Sequence, residues 1–207
     1  MTLAMHPYLW GTGSGPSVGV VDVSASEELL TTSLSVAVPR AARSGDTLIA
    51  VSQGSELVGV VPPVGWTVGA GPTNGASIAS IVYDGVTPSF LFTTLSAVAQ
   101  LVVIVAVRGF TVGAVGTFSV NAASPTPPSI TVPVAASLNL AVVTSDAGQS
   151  YSMPSGWSAK AFRNTRRTIT VFQNDGRVPA GSLAGVQITR TAGAANGRAA
   201  QIALTAL

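Results

Sequence analysis

Apolar and polar positions along the chain fall into short runs separated by clusters of Gly, Pro, Ser, Asn and Asp. Leu34 to Val38 alternates apolar with polar or small side chains. Thr47 to Val51, Ile78 to Tyr83 and Phe90 to Thr93 are equally short and rich in β-branched or aromatic residues. Period two and β-branched enrichment are what a pleated, half-buried strand requires. Leu101 to Val107 is apolar at every position, which reads as a strand buried on both faces. Between the runs stand Ser44-Gly45-Asp46, Pro62-Pro63-Val64-Gly65, Asp84-Gly85 and the stretch Asn121 to Pro128, all turn-forming. No window carries a convincing period of 3.6. The pattern predicts an all-β fold, a β-sandwich of jelly-roll or immunoglobulin-like type.

The pattern also occurs twice. Pro63-Val64-Gly65-Trp66 and Pro154-Ser155-Gly156-Trp157 lie 91 residues apart, as do Asp84-Gly85 and Asp175-Gly176, and Ala50-Val51 and Ala141-Val142. Around these anchors Ile130 to Val134, Leu138 to Thr144, Ile169 to Phe172 and Gln201 to Leu207 repeat the order of the earlier runs. The sandwich is therefore expected to be built from two sequence-related halves. The expected organisation is an N-terminal arm over 1–24, a first half over 25–120, a Pro-rich linker over 121–128 and a second half over 129–207. In the linker, proline stiffens an extended hinge and prevents strand pairing. The halves could stand as two small sandwiches or pool their strands into one; pooling covers more edges.

Charge and composition narrow the function classes. Ten basic and eight acidic residues give a net charge of +2, and the basic residues are mostly scattered. A nucleic-acid binder concentrates them in a stripe, so no nucleic-acid partner is expected. The absence of cysteine excludes a disulfide framework and thiolate zinc sites. A single histidine, His6, excludes a multi-histidine metal site, and no carboxylate pair of the glycosidase kind stands out. No cofactor, no metal and no enzymatic activity are expected. The apolar runs fall far short of the roughly 20 residues of a membrane helix, and the N-terminus lacks a signal-peptide pattern, so no membrane insertion is expected. A mean hydropathy of +0.50 points to surfaces buried against partners.

Three groups of residues carry candidate roles. Tyr8, Leu9 and Trp10 form an apolar cluster on the Gly/Ser/Pro-rich arm, which is expected to dock on the protein's own body or on a neighbouring subunit. Lys160, Arg163, Arg166 and Arg167 are the densest charge in the chain, and the corresponding first-half residues Gly69, Pro72, Gly75 and Ala76 are neutral. The group reads either as a solvated loop or as a contact with an acidic surface, for which Arg supplies bidentate donors. Trp66 and Trp157 occupy one position in both halves, which favours a structural role over stacking on a sugar. The Asp-Gly pairs read as turns.

The segments VPRAARSGDTLIAV, PPVGWTV, ASIASIVYDGVTPSFLFTT and LVVIVAVRGF together resemble a β-rich pattern of tailed-bacteriophage virion proteins and prophage regions, especially those of actinobacteria. In that pattern a Gly-Asp opens an apolar strand, a Pro-x-Gly-Trp turn follows, and a later apolar strand ends near Arg-Gly. Here these are Gly45-Asp46, Pro63 to Trp66 and Arg108-Gly109. The second half is a degraded copy, with Ala136-Ser137 in place of Gly-Asp and a Thr-Ala-Leu end in place of Arg-Gly. The resemblance covers roughly residues 33–207 and carries no catalytic residue. It implies a non-enzymatic structural protein of the virion, a minor tail or tail-tip component acting through protein–protein assembly. Capsid decoration is the alternative, and a carbohydrate-binding module for a host cell-surface glycan is the alternative from another class. It also implies other virion proteins as partners, a homo-oligomer with a trimer favoured, and a location in the virion after synthesis in the host cytoplasm.

Overall fold

A computed structural model describes residues 19–207 except 56, 57, 74, 121, 136 and 194. The strands in chain order are β1 (Gly19–Ala37), β2 (Thr47–Gln53), β3 (Thr67–Thr73), β4 (Ala76–Val82), β5 (Ser89–Arg108), β6 (Phe110–Val115) and β7 (Ile130–Val132). They continue with β8 (Leu138–Ser145), β9 (Ser150–Ser152), β10 (Trp157–Asn164), β11 (Thr168–Asn174), β12 (Gly181–Leu183), β13 (Thr189–Ala192) and β14 (Arg198–Ala206). Among the described residues there is no helix, and the named strands pair antiparallel. Two five-stranded sheets, β1-β5-β2-β4-β3 and β10-β11-β8-β14-β6, are joined by two small ribbons, β12-β7 and β13-β9. The chain is thus all-β, with packed antiparallel sheets, as the run pattern predicts.

The two large sheets pack face to face. Strand alternation sends Ile49, Val51, Val103 and Val105 of the first sheet against Leu140, Val142, Ile169 and Ile202 of the second. Residues of opposite parity point the other way. Leu48, Ala50, Val102 and Ile104 enter a second core with Leu34, Val36, Trp66 and Phe92. Ala141, Val143 and Ala199 enter a third with Tyr151, Phe172 and Ile188, and Ala203 meets Ile130, Val132 and Val178. Both faces of each large sheet are therefore covered. This is why β2 and β8 are buried at every position and their sequences show no in–out alternation of polarity.

In the first half the outer cover comes from the sheet's own strands. β1 and β5 pair from Gly19↔Arg108 to Ala37↔Ser89, with register shifts between Glu28 and Ser33. Such bulges bend a ribbon, so its far end folds over the outer face and places Leu34, Val36 and Phe92 on it. Leu30, at φ 51°, sits in that bend. The sequence predicts two strands here, 90–93 and 101–107; β5 is one, and the more polar stretch between the runs is where it crosses the bend. In the second half the outer cover is cut into separate pieces, β7, β9, β12 and β13.

Three expected boundaries shift. Residues 19–24, placed in the arm by the sequence, belong to β1, where Val20 and Val23 pack on the central core. β6, placed in the first half, pairs with β14 in the second sheet, so the crossing between sheets falls at Gly109, φ 74°. The Pro-rich stretch 121–128 is not a free hinge. Ala122 bridges to Gly197, the Ile188 amide donates to the Pro125 carbonyl at 3.0 Å, and Pro125 and Pro127 are buried. Proline lacks the donor that a ladder needs, but its carbonyl still accepts.

The two sheets have the same strand order. β6 begins 91 residues after β1 and β8 begins 91 after β2, while β10 and β11 follow β3 and β4 at that offset to within one residue. β1 lies against β10 and β3 against β6, so each edge meets the opposite edge of the other sheet. That arrangement is a pseudo-twofold, with β2 and β8 at its centre.

Candidate functional site

The Pro-x-Gly-Trp turns are built alike. Gly65 has φ 94° and Gly156 φ 87°, a left-handed conformation that a side chain resists, which explains the glycine in both copies. In the first turn the Trp66 amide donates to the Pro63 carbonyl at 3.3 Å. A Cβ at Gly156 meets nothing within 4 Å, so Gly156→Ala changes only backbone strain. Urea denaturation is expected to show a loss of about 1–2 kcal/mol; an unchanged midpoint contradicts this account of the turn.

The two indoles then diverge. Trp66 is buried in the outer core of the first half, edge-on to Phe90 at 5.0 Å and to Phe92 at 5.6 Å, and its Nε1 has no hydrogen-bond partner among the described residues. Trp157 packs, half-buried, on the outer core of the second half. At the 91-residue offset Gly181 and Leu183 stand where the first half has Phe90 and Phe92.

The motif ends Gly45-Asp46 and Arg108-Gly109 meet in space. Arg108 Nε donates to Asp46 Oδ1 at 3.0 Å and Nη2 to Oδ2 at 2.7 Å, with a further bond from Nη2 to the Ala41 carbonyl at 2.7 Å. The Arg43 amide also donates to Asp46, at 2.8 Å. The Asp46 carboxylate holds the Arg108 guanidinium above its ordinary pKa. This fork fastens the start of β2 to the end of β5, so both motifs serve the scaffold.

The basic group does not form one outward patch. Lys160 and Arg163 are half-buried on β10, Arg166 is exposed in the β10–β11 turn, and Arg167 is only 8% exposed. The sequence reading made Arg167 a partner-binding residue. The structure buries it in the bend just before β11, two positions ahead of Ile169, which lines the central core. The turn itself docks on the first half, where the Thr165 hydroxyl donates to Glu27 of β1. Burial pushes the Arg167 guanidinium below its ordinary pKa, while Asp146 and Glu27 act to hold it up. Sequence reasoning missed two members of this neighbourhood, Glu27 and Arg198, the latter 2% exposed. The available signal was an arginine leading the run Ala199-Ala200-Gln201-Ile202-Ala203-Leu204, apolar but for Gln201. His6, Tyr8, Leu9 and Trp10 lie outside the described residues.

An open groove of about 240 Å³ separates β6 from the first sheet, lined by Thr47, Thr67, Ser80, Ile81, Val82 and Thr111 among others. Among the described residues no titratable side chain lines it. Among the described residues no group of three or more His, Asp or Glu could hold a metal ion, and no helix is long and apolar enough to cross a membrane. Large apolar side chains do reach the surface. Leu29, Leu30 and Leu95 stand exposed where the β1–β5 ribbon bends, with Val61 and Leu91 on the outer layer. No protein-family model matches the chain, and neither a curated protein nor a solved structure does.

Proposed function

We propose that the chain is a non-enzymatic structural protein of a tailed-phage virion, a minor tail or tail-tip component that works by assembly. The apolar surface of the first half carries this reading. Leu29, Leu30, Val61, Leu91 and Leu95 are exposed although the core beneath them is filled by other side chains. Val61 bridges to Thr93, and Leu91 and Leu95 flank Thr93 along β5, so three of the five share one region. Apolar side chains grouped on a body with so few charges suit a contact with protein subunits. The resemblance carried by Gly45-Asp46, Pro63 to Trp66 and Arg108-Gly109 supplies the virion setting.

In this reading the partners are other virion proteins and further copies of the chain, with a closed trimer favoured. Tyr8, Leu9 and Trp10 add a docking segment, and Arg166 faces an acidic neighbour. Capsid decoration would use the same surface at another location. A glycan-binding module needs exposed aromatic faces, and Trp66 offers none.

The test is proteomics of gradient-purified particles from cells that carry the coding sequence, with antibody labelling of intact virions. The expected result is the chain in the particle band with label at the tail. Recovery of the chain solely in the soluble lysate overturns the proposal.

A further inference from the structure

The two halves cover their tryptophans differently. In the first, the outer core is one cluster that joins Trp66 and Phe92 to Leu34 and Val36, with Phe90 packed against it. Pairing between the ends of β1 and β5 holds these rings in place, Leu34↔Phe92 and Val36↔Phe90. The second half repeats that pairing between β7 and β12, as Ile130↔Leu183 and Val132↔Gly181. Gly181 and Leu183 thus take the positions of Phe90 and Phe92 by strand pairing as well as by the 91-residue offset. Neither brings a ring, and a Cβ at Gly181 meets nothing within 4 Å. The outer core of this half falls into two clusters. One holds Phe172 with Trp157 against it, and the other holds Ile130 and Val132 with Leu183 against it. The fold shows in its first half what covers an indole at this position, and in its second half leaves Trp157 half-buried.

The sequence holds a second copy of the missing element. Only two pairs of aromatic residues in the chain stand two positions apart, Phe90 with Phe92 and Tyr8 with Trp10, and a leucine separates each pair. In an extended segment that spacing puts both rings on one face. The described fold also begins beside the strand that carries Trp157. Gly19 sits against Gln173, its Cβ position 3.3 Å from the Gln173 Oε1, and the Val20 amide donates to that oxygen at 3.4 Å. Gln173 pairs with Ser158, the residue after Trp157. Trp10 stands nine positions before Gly19. An extended chain of that length reaches about 30 Å, and packed sheets are only about 10 Å apart. The chain's own Trp157 is therefore within reach, and a tether this short keeps a segment at millimolar effective concentration around its anchor.

We propose that Tyr8, Leu9 and Trp10 dock on the outer face of the second half of their own chain, where the two rings cover Trp157 as Phe90 and Phe92 cover Trp66. Edge-on aromatic packing and the apolar area it buries supply the attraction. The segment is then satisfied within one chain, and assembly is left to the apolar surface of the first half. The inference holds whether or not that surface binds a partner.

The test reads Trp10 as the difference in fluorescence between the full chain and its Trp10→Phe variant. The expected emission is blue-shifted from that of an indole in water, with acrylamide quenching several-fold weaker. Trp157→Ala, or Trp157→Leu if the first does not fold, is expected to return Trp10 to the water-exposed values, whereas Trp66→Phe leaves it unchanged. The protection is expected to persist when Leu91 and Leu95 are both replaced by Glu, so a failure of the assembly reading does not remove it. A water-exposed Trp10 in the full chain overturns the proposal without further variants. So does protection that survives the loss of Trp157, which puts the segment elsewhere, and protection lost in the Leu91, Leu95 variant, which puts it on a neighbouring copy.

Discussion

Arg108→Ala is expected to lower the unfolding free energy by about 1.5–3 kcal/mol, the cost of stripping charge-assisted hydrogen bonds from the Asp46 carboxylate. The Asp46 side chain is 5% exposed and that of Arg108 is 21%, and two parallel bonds join them. With the guanidinium gone, the carboxylate keeps the Arg43 amide and loses both forked bonds. Asp46→Ala is expected to cost a comparable amount. The second half shows how the fold manages without the pair. Ser137 stands at the position of Asp46 and donates to the Val134 carbonyl at 2.7 Å, and Thr205 stands at the position of Arg108. Both members have been lost together. The double substitution Asp46→Ser, Arg108→Thr is therefore expected to cost clearly less than the sum of the two single losses, a coupling that a double-mutant cycle in urea reads directly. Additive losses contradict the view that the two motifs are one clasp.

Trp66→Ala is expected to remove about 3–5 kcal/mol, because it opens a cavity between Phe90, Phe92 and the outer face of the first sheet. Trp66→Phe is expected to cost far less, since the indole Nε1 bonds nothing among the described residues and an aromatic edge is retained. Trp157→Ala is expected to cost roughly half as much as Trp66→Ala. Its ring is half-buried and lacks the two phenylalanines. Equal losses at the two tryptophans contradict this account, and chemical denaturation of the three variants decides it.

The fold class was legible because strand runs and their punctuation are local properties. Thr47 to Val51 and Leu138 to Thr144 announce β2 and β8 through β-branched content alone. What escaped was decided by tertiary context. Gly19 to Ser24 looks like a mixed polar arm, yet it is a strand because the apolar end of β5 pairs with it. The stretch Thr94 to Gln100 looks like a loop, yet the chain stays extended there while it bends onto its own sheet. Among the candidate residues, the basic group was visible as charge density, but its division was not. Whether Arg166 or Arg167 turns inward depends on the path of the bend before β11, which the linear sequence does not place. The Asp46–Arg108 clasp likewise needs a separation of many strand positions to close, although both of its motifs were seen.

The assembly account rests on the apolar surface of the first half being covered in the native particle. Its most direct test is the solution mass of the purified chain, by size-exclusion chromatography with light scattering over a hundredfold range of concentration. The account expects a closed oligomer, a trimer, of constant mass across that range, dissociating when Leu91 and Leu95 are both replaced by Glu. A monomer at every concentration, with the Glu variant indistinguishable from it, contradicts the account.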